Sequence, residues 1–181
     1  MEMNKRRPIQ EKHEQFLVDE FIRWWALRTA EQFHVLSRPN PPEAIVRSKR
    51  RTTWIEVTDA FFSTKWAEDL YSYATPGEQH KPMEPGLYMG MDEQTAANFI
   101  KGLKRKLTKK SYADACDEHG PGMLLVGIQS PWFGGETCEM MEAACRKTEW
   151  TSNPGYFSHV FISFRSNNRQ AFQQWDWGRK C

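Results

Sequence analysis

The sequence predicts an α/β fold, a mixed β-sheet flanked by helices in the order α-β-β-α-β-α-β. Three patterns predict it: a helix-favouring first segment, two β-prone runs around a short basic turn, and a continuous apolar run at 123–128. Such an apolar run is typical of a strand that is covered on both faces. At 181 residues the chain fits one domain, 1–181, in which we expect 1–10 to be a flexible N-terminal segment.

The first helix is predicted over 11–36. Val18 and Phe21 recur at helical spacing, on a face that also includes Glu14. The proline-rich stretch 39–42 ends the helix, because proline lacks the amide hydrogen and biases the preceding residue toward extended geometry. A chain reversal is expected there.

A β-hairpin follows the prolines. Residues 44–46 are β-prone, 47–51 form a polar basic turn, and 53–58 are rich in β-branched side chains. In the second strand, the two-residue period of side chains places Glu56 and Thr58 on the same face. Both side chains can therefore reach one site.

The segments after the hairpin differ in how clearly they predict secondary structure. Residues 61–74 are aromatic and ambiguous between helix and strand, and 75–90 form an irregular connection rich in proline and glycine. The other predicted elements are a helix over 92–115 with Asp92 as its N-cap, a strand over 123–128, a helix over 136–147 and a strand over 157–164.

Composition excludes several classes of protein. The net charge of +2 does not by itself indicate a nucleic-acid partner. The four cysteines form no CxxC pair, and the five histidines form no HExxH motif, so we expect free thiols and ordinary surface or core histidines. No apolar run has the length of a membrane span or of a signal-peptide core, which predicts a cytoplasmic protein with no membrane partner.

Two carboxylates are placed for metal chemistry. Glu43 begins one strand of the hairpin and Glu56 lies in the other, so residues thirteen apart in sequence can lie side by side. Hard oxygen ligands suit Mg²⁺ or Mn²⁺, and such a cation activates water for phosphodiester hydrolysis. The backbone carbonyl of Val57 would be a natural further ligand.

At this point the stretch Asn40-Pro41-Pro42-Glu43 to Ile55-Glu56-Val57-Thr58 resembles the PD-(D/E)XK superfamily of restriction-endonuclease-like nucleases. The likeness extends to the preceding helix and to a lysine-rich helix, Tyr112 and an apolar strand that follow, over about 11–128. The resemblance implies a restriction-endonuclease-like mixed sheet and a Mg²⁺-dependent hydrolase, an endonuclease or exonuclease.

Two residues depart from the family pattern. Glu43 stands where the family usually has Asp, and Thr58 stands where it usually has Lys. Without that lysine, the cation that orients the attacking water is missing. Either another residue has taken its role or the site is inactive.

Lys106 is the first choice for that role. On helical spacing Lys106 and Lys110 flank the apolar face of the basic helix, whereas Lys101, Lys104 and Arg105 point farther from it. The resemblance also implies a catalytic acid on the first helix, which is Glu14 or Glu20.

The expected partner is a nucleic acid, and DNA is favoured over RNA. A homodimer is possible, but no segment of the sequence identifies a dimer surface. The residues predicted to contact phosphates are Lys101, Lys104, Arg105, Lys109, Lys110, Arg47, Lys49, Arg50 and Arg51.

Simpler interpretations compete with each of these. The two acids can be solvent-facing, the basic helix can be a solvated face, and Trp132 can pack in the core rather than stack on a base. The alternative function is a catalytically inactive nuclease-fold protein that acts as a nucleic-acid-binding or protein-interaction module.

Overall fold

Six strands form one open mixed sheet in the order β1-β2-β3-β4-β5-β6. In a computed structural model, which describes residues 7–150, 155–167 and 169–176, β3, β4 and β5 are parallel and the remaining neighbours are antiparallel. The strands are β1 (His34–Ser37), β2 (Ala44–Arg47), β3 (Thr52–Phe61), β4 (Gly122–Gln129), β5 (Phe157–Ser166) and β6 (Arg169–Trp175). The mixed α/β class predicted from the sequence is confirmed.

Helices lie on both faces of the sheet. They are α1 (Arg7–Thr29), α2 (Thr64–Ala74), α3 (Met91–Leu107), α4 (Ala113–His119) and α5 (Gly135–Lys147), with a 3₁₀ turn at Lys110–Tyr112. One core packs Leu17, Val18 and Phe21 of α1 against the sheet, and the other packs Phe99 and Leu103 of α3 on the opposite face. No helix in the described part of the chain is long and apolar enough to cross a bilayer.

β4 lies at the centre and is covered on both sides. Met123 and Leu125 face the α1 core while Leu124 and Val126 face the α3 core, and all four are fully buried. Each such side chain contributes roughly 1.5–3 kcal/mol when it leaves water. The continuous apolar run therefore predicted this strand correctly.

The first helix is shorter than predicted. It begins at Arg7, inside the segment 1–10 that we expected to be flexible, and residues 1–6 lie outside the described part of the chain. It ends at Thr29 rather than 36, where Ala30 takes a left-handed φ of 56°. Buried Glu31 then binds Ser48 and Arg51 of the β2–β3 turn, which draws the chain away from the helical path. The strand β1 forms in its place.

The basic helix also ends early. Asp92 lies in its first turn and Gly90 is the N-cap residue, and α3 stops at Leu107 instead of continuing to 115. The 3₁₀ turn follows and directs Tyr112 into the core, where its ring stacks on Trp54 at 5.5 Å. Burial of this aromatic pair offsets the loss of helical hydrogen bonds.

Three further elements differ from the sequence prediction. The ambiguous segment 61–74 contains α2, whose N-cap Ser63 accepts a hydrogen bond from the Trp66 amide. α4 and the edge strand β6 were not predicted. The connection 75–90 contains neither helix nor strand, as expected.

Candidate active site

The β2–β3 hairpin brings Glu43 and Glu56 to neighbouring positions. Ala44 pairs with Ile55 across the two strands, so Glu43, just before Ala44, and Glu56, just after Ile55, lie at the same level of the hairpin. β3 continues past this point to Phe61, beyond the end predicted from the sequence. The predicted proximity of residues thirteen apart is therefore present.

Glu56 is almost completely buried, with 1% of its surface exposed. Its Oε1 accepts hydrogen bonds from Lys106 Nζ and from the hydroxyl of Tyr112, the latter at 2.9 Å. Its Oε2 is buried and has no hydrogen-bond partner within the described part of the chain. A buried carboxylate oxygen in this state is costly unless a ligand or water completes it.

The first-helix acid that joins this group is Glu14. Its side chain is buried and accepts a hydrogen bond from Gln10 at 2.9 Å, and its negative charge raises the pKa of Glu43. Glu20, the alternative, instead pairs with Arg23 on a more exposed part of α1. The structure therefore brings Glu14, and not Glu20, to the two hairpin acids.

The pKa values of Glu43 and Glu14 are both raised. Burial, together with the negative charges of Glu14 and Glu56, raises the pKa of Glu43 to about 8. Burial also raises the pKa of Glu14, although hydrogen bonds from Gln10 and Glu43 oppose this shift. With its pKa raised to about 8, Glu43 favours the protonated form at neutral pH.

Lys106 and Arg105 both reach β3 from α3. Lys106 Nζ contacts Glu56, and its role in place of a lysine at position 58 stays a prediction. Arg105 is more exposed than Lys106, in line with the prediction that it points farther from the apolar face, but its Nη2 still donates to Thr58 Oγ1 at 3.3 Å. Two consecutive residues of α3 can reach the strand because long basic side chains extend beyond the helix surface.

Val57 lies in β3 beside Glu56 and pairs with Leu125 of β4. Its side chain is buried in the α1 core. The role of its backbone carbonyl as a metal ligand stays a prediction.

All nine basic residues predicted to contact phosphate are exposed. Lys109 and Lys110 lie beyond the end of α3, so Lys110 does not flank its apolar face as predicted. In the hairpin turn, Arg51 forms an ion pair with Glu31 at 3.2 Å.

A second polar group beside the acids was not expected from the sequence. Asp59 Oδ1 lies 3.2 Å from His13 Nε2 and accepts a hydrogen bond from Gln129 at 3.0 Å. Burial opposes protonation of His13, but Asp59 and Glu14 outweigh it and raise the pKa of His13. Only the position of Asp59, two residues after Val57 on the α1 face of β3, could have indicated this contact.

Among the described residues, no three or more His, Cys, Asp or Glu side chains are arranged as a ready metal cage. Comparisons of the chain with protein-family models, curated proteins and solved structures find no match.

Proposed function

We propose that this protein is a metal-dependent nuclease of the PD-(D/E)XK type, in which Lys106 replaces the lysine that Thr58 displaces. The observation that carries the proposal is the state of Glu56. One oxygen is held by Lys106 and Tyr112, and the other is buried with no hydrogen-bond partner among the described residues. A buried carboxylate oxygen that has no hydrogen-bond partner is suited to binding a cation.

The order of elements supports the same family. The helix before the motif, the hairpin, the basic helix, Tyr112 and the central apolar strand occur in the order that the resemblance implies. A mixed sheet with helices on both faces is also compatible with the restriction-endonuclease-like fold.

The candidate donors near Glu56 are oxygen atoms, the type of ligand that a hard divalent cation takes. Glu56 Oε2, Glu43 and Glu14 offer carboxylate oxygens, and the carbonyl of Val57 is a further candidate. When bound, Mg²⁺ or Mn²⁺ would supply an activated water and neutralise charge on the phosphate. Glu43, whose pKa is raised to about 8, must lose its proton before it can act as a ligand, because a ligating carboxylate is deprotonated.

The chain's own groups position the reaction. The Lys106 ammonium lies against Glu56 and supplies a positive charge at the place where negative charge would develop on the phosphate. Burial and the charge of Glu56 raise the pKa of Tyr112, so its hydroxyl stays protonated and acts as a donor that orients the carboxylate. Arg105 of α3, which donates to Thr58, adds a second cation beside β3.

The test is cleavage of labelled single-stranded and double-stranded DNA and RNA in Mg²⁺ or Mn²⁺, compared with chelator. Glu56→Gln should reduce cleavage by at least about 100-fold, because the substituted amide cannot serve as an anionic ligand. Glu20→Gln on α1 is the matched control and should cleave normally. Robust metal-dependent cleavage by the Glu56 variant would sink the proposal.

A nucleic-acid-binding protein without catalysis is the second candidate. The contact that favours it is the ion pair of Glu56 with Lys106, since an internal ammonium can take the place that a metal would otherwise fill. Isothermal titration with Mn²⁺ separates the candidates, because a catalytic site binds the ion and Glu56→Gln abolishes that binding. Absence of Mn²⁺ binding together with retained nucleic-acid affinity would favour the second candidate.

A further inference from the structure

An aromatic cluster, made of Phe62, Trp66, Tyr88 and Trp132, lies at the C-terminal ends of β3 and β4. Phe62 is buried, and its ring centroid lies 5.4 Å from that of Trp132 in an edge-on contact. Tyr88 contacts the Trp132 ring at 6.0 Å, and Trp66 contacts Phe62 at 5.9 Å. Trp132 is nevertheless 45% exposed. Its indole is thus held in place while a large part of it faces solvent.

A cleft of about 240 Å³ lies beside this cluster. We call it the basic cleft, because Lys101 and Arg105 of α3 line one wall. The other wall is lined by Asp59, Ala60, Phe61, Ser63, Thr64 and Ala67. Phe62 and Trp66 do not line the cleft, but each is next in sequence to a residue that does, so the aromatic cluster adjoins this wall. The Asn98 amide donates to the carbonyls of Phe61 at 2.8 Å and Phe62 at 3.1 Å, which fixes α3 to this wall.

The basic cleft also reaches the acid site. Arg105 lines the cleft and donates to Thr58, two residues after Glu56 on β3. The next residue of α3, Lys106, contacts Glu56 itself. Asp59 is the acid that lines the cleft. Its Oδ1 accepts a hydrogen bond from Gln129 and lies against His13, so these residues, and not Lys101 or Arg105, are its partners.

We propose that the aromatic cluster and the basic cleft form a track for single-stranded nucleic acid that leads into the acid site. This proposal rests on the proposed nuclease function, and it adds that the bound nucleic acid is single-stranded. A base can stack on the Trp132 indole only when its own face is uncovered, and in a duplex neighbouring base pairs cover both faces. Lys101 and Arg105 one helical turn apart supply cations for successive phosphates.

A protein partner is the competing occupant of the exposed Trp132 surface. It would not account for two cations in the adjoining cleft, whereas alternation of an aromatic surface with positive charge is the arrangement that single-stranded nucleic acids require. The charge of the cleft therefore favours the polyanion.

The test is fluorescence anisotropy of the full chain with a labelled oligothymidylate of about 12 nucleotides and with a duplex of the same length. Both are titrated in chelator, so that no cleavage can occur. The single strand should bind more tightly than the duplex. Trp132→Ala should weaken single-strand binding by about 5- to 150-fold, the range expected for loss of one base–aromatic stack.

Three variants keep this test interpretable. Trp132→Phe retains a stacking ring and should bind within a few-fold of the wild type, which separates loss of stacking from loss of folding. Tyr73→Ala removes an aromatic ring that is 77% exposed at the far end of α2 and should leave affinity unchanged. Thermal unfolding of each variant verifies that the fold is retained.

The charged wall is tested by the dependence of affinity on salt. Lys101→Ala should reduce the slope of log affinity against log salt by about 0.7, the value for one phosphate contact on a single strand. Lys147→Ala removes an equal charge at the end of α5 and should leave the slope unchanged.

Equal or tighter binding of the duplex, or unchanged single-strand affinity in Trp132→Ala, would overturn the inference. Its failure is distinguishable from failure of the proposed function, because binding is measured in chelator and cleavage in Mn²⁺. A protein that cuts DNA in a Glu56-dependent manner but binds strands independently of Trp132 is a nuclease without this track.

Discussion

Lys106 Nζ donates a hydrogen bond to Oε1 of Glu56, although the two residues lie fifty positions apart in the chain. The contact crosses the interface between α3 and β3, and both side chains are largely buried, with 12% and 2% of their surfaces exposed. It places an ammonium group at a buried acid of β3, the strand that also carries Thr58.

Lys106→Met should reduce metal-dependent cleavage by about 100- to 1000-fold, the usual effect of removing one electrostatic group from an active site. Thr58→Lys introduced into the same variant should restore at least about tenfold, because it returns a cation to β3 beside Glu56. Single-turnover cleavage in Mn²⁺ measures both effects. An unchanged rate in the single variant would show that Lys106 has no part in the reaction.

Tyr112→Phe should lower the free energy of unfolding by roughly 1.5–3 kcal/mol, the range for a hydrogen bond to a charged group. The phenol donates to buried Glu56, which would then depend on Lys106 alone. Urea denaturation measures the change. Tyr73→Phe, at an exposed position on α2, is the control and should differ from the wild type by less than about 0.5 kcal/mol.

The protonated Glu43 makes stability depend on pH. The ordinary pKa of 4.5 is raised to about 8 by burial and by the charges of Glu14 and Glu56. Between these values the folded protein retains a proton that the unfolded chain releases, so the free energy of unfolding falls as the pH rises from about 4.5 to about 8. Denaturation in chelator across this interval should show the fall.

Glu43→Gln should make the free energy of unfolding depend less steeply on pH. The stability of this variant relative to the wild type should therefore be greatest near pH 8. The slope is reduced rather than abolished, because the pKa of Glu14 is raised as well. Glu20→Gln is the matched control on the same helix as Glu14. An identical slope in wild type and Glu43→Gln would show that Glu43 does not hold the proton.

Gly127→Ala should destabilise the fold by roughly 1–3 kcal/mol, the usual effect of overpacking a buried position. A Cβ at this residue would lie 2.3 Å from Asp59 Oδ1, on the strand directly paired with Asp59. It would displace the carboxylate from Gln129 and His13. Thermal or chemical unfolding measures the loss.

Gly102→Ala is the internal comparison for Gly127→Ala. A Cβ at Gly102 meets nothing within 4 Å, and the residue lies inside α3. This substitution should stabilise by roughly 0.5–1 kcal/mol, since alanine loses less backbone entropy in a helix. Destabilisation of similar size in both variants would contradict the steric explanation for Gly127.

Much of the hairpin and its acids could be predicted because their signals are local. The proline turn, the β-branched run and the two-residue period placed Glu56 and Thr58 on one face, and the structure retains that arrangement. Helix ends were predicted less well, since α1 and α3 are both cut short by contacts with distant segments. Glu31 is hydrogen-bonded to the hairpin turn and Tyr112 stacks on Trp54. Neither contact can be predicted from the local periodicity of the sequence.

The sequence by itself determined the mixed α/β class, the central strand β4, the acidic hairpin and the basic character of α3. Only the tertiary structure decided that Glu14 rather than Glu20 meets Glu43, that Arg105 as well as Lys106 reaches β3, and that Asp59 contacts His13. The physical reason is that side-chain period is a property of one segment, whereas these contacts depend on how α1 and α3 are packed against opposite faces of the sheet.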